Sequence, residues 1–549
     1  MSLKRIFLPA VLFLVFFLEG LYLIQATSPT TDETAFHMVN GYVYLKTRDY
    51  RMSPANPPLL REWMALPWLL FQPKLDLNKK FWKEADSVPF SVDFFYRDNR
   101  AIADKLLYSA RFMILLLGFG IGAVVFVWVK ELYGFWGAIL SLSLYVFCPS
   151  LVAHSSIAHT DVGVTFFSVL TAYFVWKFLT WESLRNFVWM GISFGLACAA
   201  KFNAVYLGPV FLAVILLKKG LRTSLKVLGI FLGASFLIIW ASYFFEFKPM
   251  LAGGVPRVDE KLGYVTAISN ALFPGNGAVL EFFKEAALKI SIPIPSYLLG
   301  LAGIVRSHNA PYYHYAFGEW TTRPHWYFYF FSFLVKMTIP FLVFLILRTL
   351  FLKKCSSDSR NENWVILAPT VALFALTMSD STGVGVRYLF PVIPLLMVWA
   401  GGLAKVFPNS RAWKIFLVGF CILNAASALR VFPDYLSYFN ESVGGVRGGY
   451  KYVRGSDVDW GQGLKALKKY IDKNKINHVA LDYFGTADPA FYDIPYEVMR
   501  EEERKVPLAK VYAISIFHLE YTEWSHELDP AAMVGGSIFI YDLRQRIKG

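Results

Sequence analysis

Two adjacent carboxylates, Asp32 and Glu33, stand in the run Thr31-Asp32-Glu33-Thr34-Ala35-Phe36-His37, a few residues past the first apolar stretch of the chain. Acidic groups so close to an apolar boundary must be paired or solvated. A carboxylate within hydrogen-bond reach of a hydroxyl group acts as a general base. The plainer alternative is that Thr31 or Asp32 caps the helix that follows, accepting its first backbone N–H bonds. A second acidic feature lies in His154-Ser155-Ser156-Ile157-Ala158-His159-Thr160-Asp161, where Asp161 precedes another apolar run. Cap and shared site stay open for both. Basic residues at unusual depth form the complementary set. Lys336 sits ten residues into the apolar run 326–350, about 15 Å along a helix, which is too deep to reach the interface and calls for an anion. Lys201 and Arg387 stand at the ends of apolar runs and Arg111 inside one. For Lys201 and Arg111, anchoring by a stretched side chain is the simpler account.

The elements that must position these groups follow from composition. The chain has 549 residues, 56% hydrophobic, 17% aromatic and 17% charged, with mean hydropathy +0.44. A soluble protein carries about 25% charged residues, so the chain reads as a polytopic α-helical membrane protein, and disorder and fibrous repeats are excluded. Spans of roughly 17–25 apolar residues are expected at 6–25, 106–129, 133–150, 162–180, 186–200, 202–217, 225–247, 326–350, 364–379, 388–404 and 412–432, about 11 transmembrane helices in all. The first follows Lys4 and Arg5 and reads as a retained anchor rather than a cleaved signal. Cys148, Cys198, Cys355 and Cys421 are too scattered for a disulfide framework or a metal-ligand spacing.

Lys and Arg in short loops set orientation. One set of loops holds Lys130, Lys177, Arg185, Lys218, Lys219, Arg222, Lys226, Arg348, Lys353, Lys354, Arg360, Lys405, Arg411 and Lys414, whereas loops 151–161 and 380–386 hold none. This predicts a cytoplasmic N-terminus and three extracytoplasmic pieces: loops 27–105 and 248–325, and the tail. The division expected is a membrane part over 1–432 and a small extracytoplasmic α/β domain over 433–549. The tail pattern is an amphipathic helix through Leu464, Leu467 and Ile471, with strands near 478–484, 509–517 and 536–543. Stretches 259–272 and 278–292 are amphipathic, either lying on the membrane or forming ordinary surface helices. Asp457-Val458-Asp459 has the spacing of a metal–nucleotide pair, but its place in the tail favours a structural role docking the tail. Glu501-Glu502-Glu503 reads as a solvated face. Trp63, Trp82, Trp320 and Trp326 fit an interfacial aromatic belt better than sugar platforms.

A set of ordered motifs resembles a known family. Asp32-Glu33 after the first span, Asn56-Pro57-Pro58-Leu59, Thr160-Asp161, Gly195-Leu196-Ala197 with Lys201, Trp326-Tyr327-Phe328-Tyr329 leading to Lys336, and Arg387-Tyr388-Leu389-Phe390-Pro391 are similar to the bacterial branch of the protein O-mannosyltransferase family, glycosyltransferase family 39 of the GT-C superfamily. Phe439-Asn440-Glu441-Ser442-Val443-Gly444-Gly445 and Asp459-Trp460-Gly461-Gln462 resemble a module of bacterial members. The resemblance implies a GT-C fold and an inverting transfer of a sugar from a polyprenyl-phosphate donor to a hydroxyl acceptor (protein, lipid or glycan) at the outer face of the inner membrane. It implies Asp32 as the base, with Glu33 orienting the acceptor or tuning Asp32. Lys336, Arg387 and Lys201 are the candidates for the donor phosphate, and His37, Asp161, His159 and Tyr388 for the sugar or acceptor pocket. In related bacterial sequences a His commonly precedes the Pro-Pro-Leu turn, where this chain has Asn56. No ligand set demands a metal, no cofactor is required, and use of a divalent ion stays open.

Alternatives of other classes are an aminoarabinose-transferase-like lipid A modifier, a flippase for lipid-linked sugars and a membrane scaffold. The chain lacks the matched halves common in transporters. The net charge of +14 is largely accounted for by the basic loops, so membrane lipid is an expected partner and nucleic acid is not.

Overall fold

The computed structural model describes residues 4–251, 275–308, 312–355, 361–380 and 382–544, with 263, 266 and 269 besides. Among these residues six helices are long and apolar enough to cross a membrane, or seven if the bent pair Phe328–Lys336 and Ile339–Leu350 counts as one span. The chain is a multi-pass helical membrane protein with a sheet-containing tail. The six are Ile6–Ala26, Arg100–Val146, Asp161–Thr180, Phe202–Lys219, Leu221–Ser242 and Arg411–Leu429. Leu184–Ala200 and Ile393–Lys405, expected as spans, are shorter apolar helices. The expected runs 106–129 and 133–150 meet at Gly134, whose φ of 82° and ψ of −176° break the helix. The two arms fold back, so that the Tyr145 hydroxyl donates to the Gly118 carbonyl at 2.5 Å. Leu184–Ala200 packs between Asp161–Thr180 and Leu221–Ser242.

The run 326–350 is not one straight span. It bends by 112° between Lys336 and Ile339. Pro340 lacks an N–H, and its ring would strike the carbonyl four residues back, which belongs to Lys336. The helix therefore stops at Lys336, and a second starts with Pro340 in its first turn. The freed carbonyls are taken up by the tail. Asn440 Nδ2 donates to Leu334 O and Met337 O at 2.7 and 2.8 Å, and Asn440 N–H to Val335 O at 2.8 Å. One residue of the Phe439–Gly445 motif thus caps a broken helix.

This corrects the expectation for Lys336. Its ammonium is buried at the end of a short helix, donating to Leu436 O at 2.9 Å and Asp457 O at 2.6 Å, with the Phe439 ring 4.5 Å away. It fastens the tail and lines no part of the cavity described below.

The tail forms a five-stranded sheet in the order Tyr496–Val498, Val479–Asp482, Val511–Ser515, Ile538–Asp542, Ala532–Val534. The first two pairings are parallel and the last two antiparallel. Helix Leu464–Lys473 buries Leu464, Leu467 and Ile471, the apolar stripe expected of it. The short strands 496–498 and 532–534 carry no alternation long enough to be read. Of the three glutamates, Glu501 and Glu502 are exposed but Glu503 is buried, accepting the Tyr512 hydroxyl at 3.1 Å. The stretch 278–292 is helix Gly277–Lys289 followed by strand Ser291–Pro293; most of 259–272 lies outside the described residues.

Loop 456–462 joins the tail to the helices. The Asp457 carboxylate accepts the Val386 N–H at 3.1 Å, and Ser456 Oγ donates to Val384 O at 2.8 Å. Asp459 accepts the Gly461 N–H at 3.1 Å. Burial pushes the Asp459 carboxyl up to about 7, against the lowering effect of that N–H. A carboxyl raised on folding stabilises the fold in its neutral form, below its unfolded value, and that contribution is lost as pH rises through 7. Asp459→Asn keeps the accepting oxygen and removes the titration. We expect it to raise the thermal midpoint at pH 8 relative to the parent protein and to change it little at pH 4. A midpoint difference independent of pH would contradict this.

Candidate active site

Residues 28–31 run alongside loop 460–462 of the tail. Ser28 N–H donates to Gln462 O at 3.1 Å and Thr31 N–H to Trp460 O at 2.8 Å. Ser28 Oγ donates to Gly461 O at 3.0 Å and accepts the Leu464 N–H at 3.1 Å. The chain then enters a single wide π-turn, Glu33–His37, before helix Met38–Thr47. Such turns recur at functional sites. The wider turn brings residues four and five apart onto one face, and Asp32, Phe36 and His37 all line one cavity. Asp32 makes no side-chain cap bond, so the capping alternative fails for it. Its side chain is 26% exposed, and its one ion pair is a long one, 3.5 Å to Arg387 Nη1.

Glu33 is used differently. It is fully buried and accepts Arg111 Nε and Nη2, each at 2.7 Å. It also accepts the Thr30 N–H and the Ala158 N–H, both at 2.7 Å. Arg111 further donates to the carbonyls of Ile24, Thr27 and Ser28. Burial alone would raise the Glu33 carboxyl; Arg111 and the two N–H groups more than offset it and hold it below its usual range. Arg111 is therefore no interfacial anchor. The pair ties the end of the first helix to the Asp32 loop and to the segment leading to Asp161.

Asp161 opens helix Asp161–Thr180, where the helix dipole favours negative charge. Lys201 ends helix Leu184–Ala200 in extended conformation, where the dipole favours positive charge. The two meet in an ion pair. His159 Nδ1 lies 3.1 Å from the other Asp161 oxygen and Nε2 3.2 Å from His154 O. Lys201 Nζ stands 5.1 Å over the Tyr388 ring.

Arg387 enters from a short 3-10 turn, Val386–Leu389. The preceding Gly385 has φ +91°, and a side chain there would collide with the Asp457 carboxylate; only glycine suits both constraints. Arg387 Nη1 is 3.5 Å from both Asp32 and Asp161, and its guanidinium lies 4.3 Å over the Trp460 ring. Burial disfavours its charge, and Asp161 and Asp32 more than offset that. Its Nε is buried and has no hydrogen-bond partner among the described residues.

These groups open into a cavity of about 520 Å³. Asp32, His37, Asp161, Lys201, Arg387 and Tyr388 line it, as do Ile304, Leu373 and Leu376. His159 stands behind Asp161 rather than at the surface. His37 is buried next to Arg61, whose Nε is 3.5 Å from its Nδ1; burial first and Arg61 second hold the imidazole well below its usual range, so it stays neutral. The site gathers residues that sequence reasoning overlooked. Arg61, four residues past Pro57, is fully buried and ties Ser53, Tyr44 and His37 together. Asp380, on the cavity wall, is bonded by the Tyr329 hydroxyl and by Thr382 Oγ1. Tyr206 also lines the cavity, and its buried hydroxyl has no partner among the described residues. The one available signal was charge or hydroxyl beside a helix break, as at Pro57-Pro58. Among the described residues no three His, Cys, Asp or Glu side chains converge as a metal site requires.

Residues 87–244 match the family model of dolichyl-phosphate-mannose-protein mannosyltransferase. That segment is similar to this family. The matched segment contains Arg111, Asp161 and Lys201, whereas Asp32 and Arg387 reach the cavity from outside it. No curated protein matches the chain in sequence. Among solved structures, ArnT from Cupriavidus metallidurans bound to undecaprenyl phosphate superposes with TM-score 0.49 at 12% identity, covering 97% of both chains. The archaeal oligosaccharyltransferase AglB from Archaeoglobus fulgidus, in complex with an inhibitory peptide and a dolichol-phosphate, gives 0.42 at 12% identity over 94% of this chain and 70% of that one. The apo oligosaccharyltransferase from the same organism gives 0.44 at 13% over 78% and 55%.

Proposed function

We propose that the chain is a GT-C-type glycosyltransferase that moves a sugar from a polyprenyl-phosphate donor to a hydroxyl acceptor, at the extracytoplasmic face of the inner membrane. One observation carries the reading. A weakly paired carboxylate, Asp32, lines one cavity together with Lys201 and with Arg387, whose buried Nε has no hydrogen-bond partner among the described residues. A base facing a cationic pocket with an apolar wall suits a hydroxyl nucleophile and a lipid-borne phosphate leaving group. The mannosyltransferase segment supports the same class. The orientation rests on the basic loops, and with it the tail 433–549 is an extracytoplasmic unit that supports Arg387 through the Trp460 ring and through Asp457, which accepts the Val386 N–H.

In this mechanism Asp32 takes the proton of the acceptor hydroxyl as its oxygen attacks the anomeric carbon. The bond from that carbon to the phosphate oxygen breaks, the electron pair leaves on the phosphate, and the configuration inverts. Arg387 and Lys201 hold the growing phosphate charge. Asp161, buried between them, keeps both cations in place before the donor arrives.

The test is transfer from polyprenyl-phosphate mannose by the purified full chain in detergent, where no transport occurs. Arg387→Met is expected to lower kcat by about a hundredfold to a thousandfold, the cost of removing one preorganised donor. Release of no polyprenyl phosphate from mannose, glucose or aminoarabinose donors would refute the reading.

A further inference from the structure

Asp32 and Arg387 line two cavities at once. Besides the large one, they border a cleft of about 140 Å³ on the side of the tail. The two walls differ in chemistry. Besides Phe36, Phe202, Tyr206 and Tyr388, the large cavity holds Lys201 and the aliphatic Ile304, Leu373 and Leu376; the cleft is faced by Tyr313, Trp320, Trp460, Phe484 and Phe517.

The rings are arranged as faces. Phe484 and Phe517 stack at 4.2 Å with an interplanar angle of 9°, and Trp320 stands 5.0 Å from Phe517. Tyr313 is 70% exposed at the rim. Trp320 Nε1 is buried and has no hydrogen-bond partner among the described residues, so a donor waits among the rings. Arg454 is closely paired with Glu520 at 2.6 Å, and Arg387 stands 3.5 Å from both Asp32 and Asp161. The open side of strand His314–Ala316 is bridged at its end, Ala316 to Val453, with the Phe317 N–H donating to Tyr452 O at 2.8 Å.

We infer that this cleft binds the acceptor and that the acceptor presents a neutral sugar ring. The negative faces of aromatic rings attract the slightly positive C–H edges of a pyranose. Trp320 Nε1 serves one of its hydroxyl groups, and another is left facing Asp32. The volume matches one ring, with the rest of the glycan extending past Tyr313. This deepens the transferase reading and rests on it for the word acceptor, though not for binding itself.

Saturation-transfer NMR on the purified full chain, with no donor present, tests the cleft directly. The probes are methyl α-mannoside, methyl β-glucoside and methyl β-galactoside at 10 mM, against a neutral Ser/Thr-rich peptide. Saturation of the ring protons of at least one hexoside is expected, falling at least fivefold in Tyr313→Ala and in Trp320→Ala. Tyr313 sits on the surface, so its variant stays folded even where Trp320→Ala does not. No hexoside signal, a signal unchanged in both variants, or saturation of the peptide alone overturns the assignment. Hexoside binding that persists in a protein inactive with every lipid donor would instead remove the transferase reading and leave a sugar site.

Discussion

Asp32→Asn is expected to lower transfer by about 10²- to 10⁴-fold, the usual contribution of a positioned general base, while the protein stays folded. The amide has the volume of the carboxyl but cannot take a proton at neutral pH. Little else depends on Asp32. It caps no helix, is partly exposed, and its ion pair with Arg387 is 3.5 Å long. A long, partly exposed ion pair of this kind contributes about 1 kcal/mol or less, and Asp161 still faces Arg387 in the variant. The measurements are kcat at saturating polyprenyl-phosphate mannose and the thermal midpoint of the purified protein. A kcat within tenfold of the parent would remove Asp32 as the base. The effect should fall on kcat with little change in the KM for donor, because the acid faces the attacking hydroxyl and not the phosphate.

Part of this arrangement is legible in the chain alone, for a definable reason. Asp32, Asp161, Lys201 and Arg387 all sit where an apolar helix begins or ends, and a charge at such a boundary is visible from local pattern. Lys336 was singled out on another pattern, its depth inside an apolar run. Its depth was counted along an unbroken helix, whereas Pro340 ends that helix and turns the ammonium toward the tail. A proline four residues ahead was the available sign. Trp460 could not be found locally. It reaches the site because a segment more than four hundred residues from Thr31 bonds to it, and periodicity carries nothing about such contacts. The tail strands Tyr496–Val498 and Ala532–Val534 are three residues each, too short for alternation to register. Helix Leu464–Lys473 was readable because three apolar residues recur on one face.

Glu33 is the harder case, because its neighbour is the proposed base and both looked alike. Glu33→Gln or Arg111→Met should cost about 3–5 kcal/mol of stability, as breaking a buried ion pair does when one charge is left behind. Arg111 is more exposed to this loss than an ordinary surface partner. Its guanidinium also holds the carbonyls of Ile24, Thr27 and Ser28, and Glu33 holds the N–H groups of Thr30 and Ala158. Loss of either partner frees the Asp32 loop from the first helix and from the segment before Asp161, so activity falls because the site loosens. The double variant Glu33→Gln/Arg111→Met separates this from chemistry. With no charge stranded, it should recover part of the stability lost by the single variants, since a buried pair replaced by uncharged groups is often close to neutral. Thermal midpoints of the two singles and the double, read as a cycle, give the coupling. A Glu33→Gln protein that melts like the parent yet transfers nothing would reverse the assignment. Glu33 would then act in the reaction, and the buried pair with Arg111 would have to open when substrate binds.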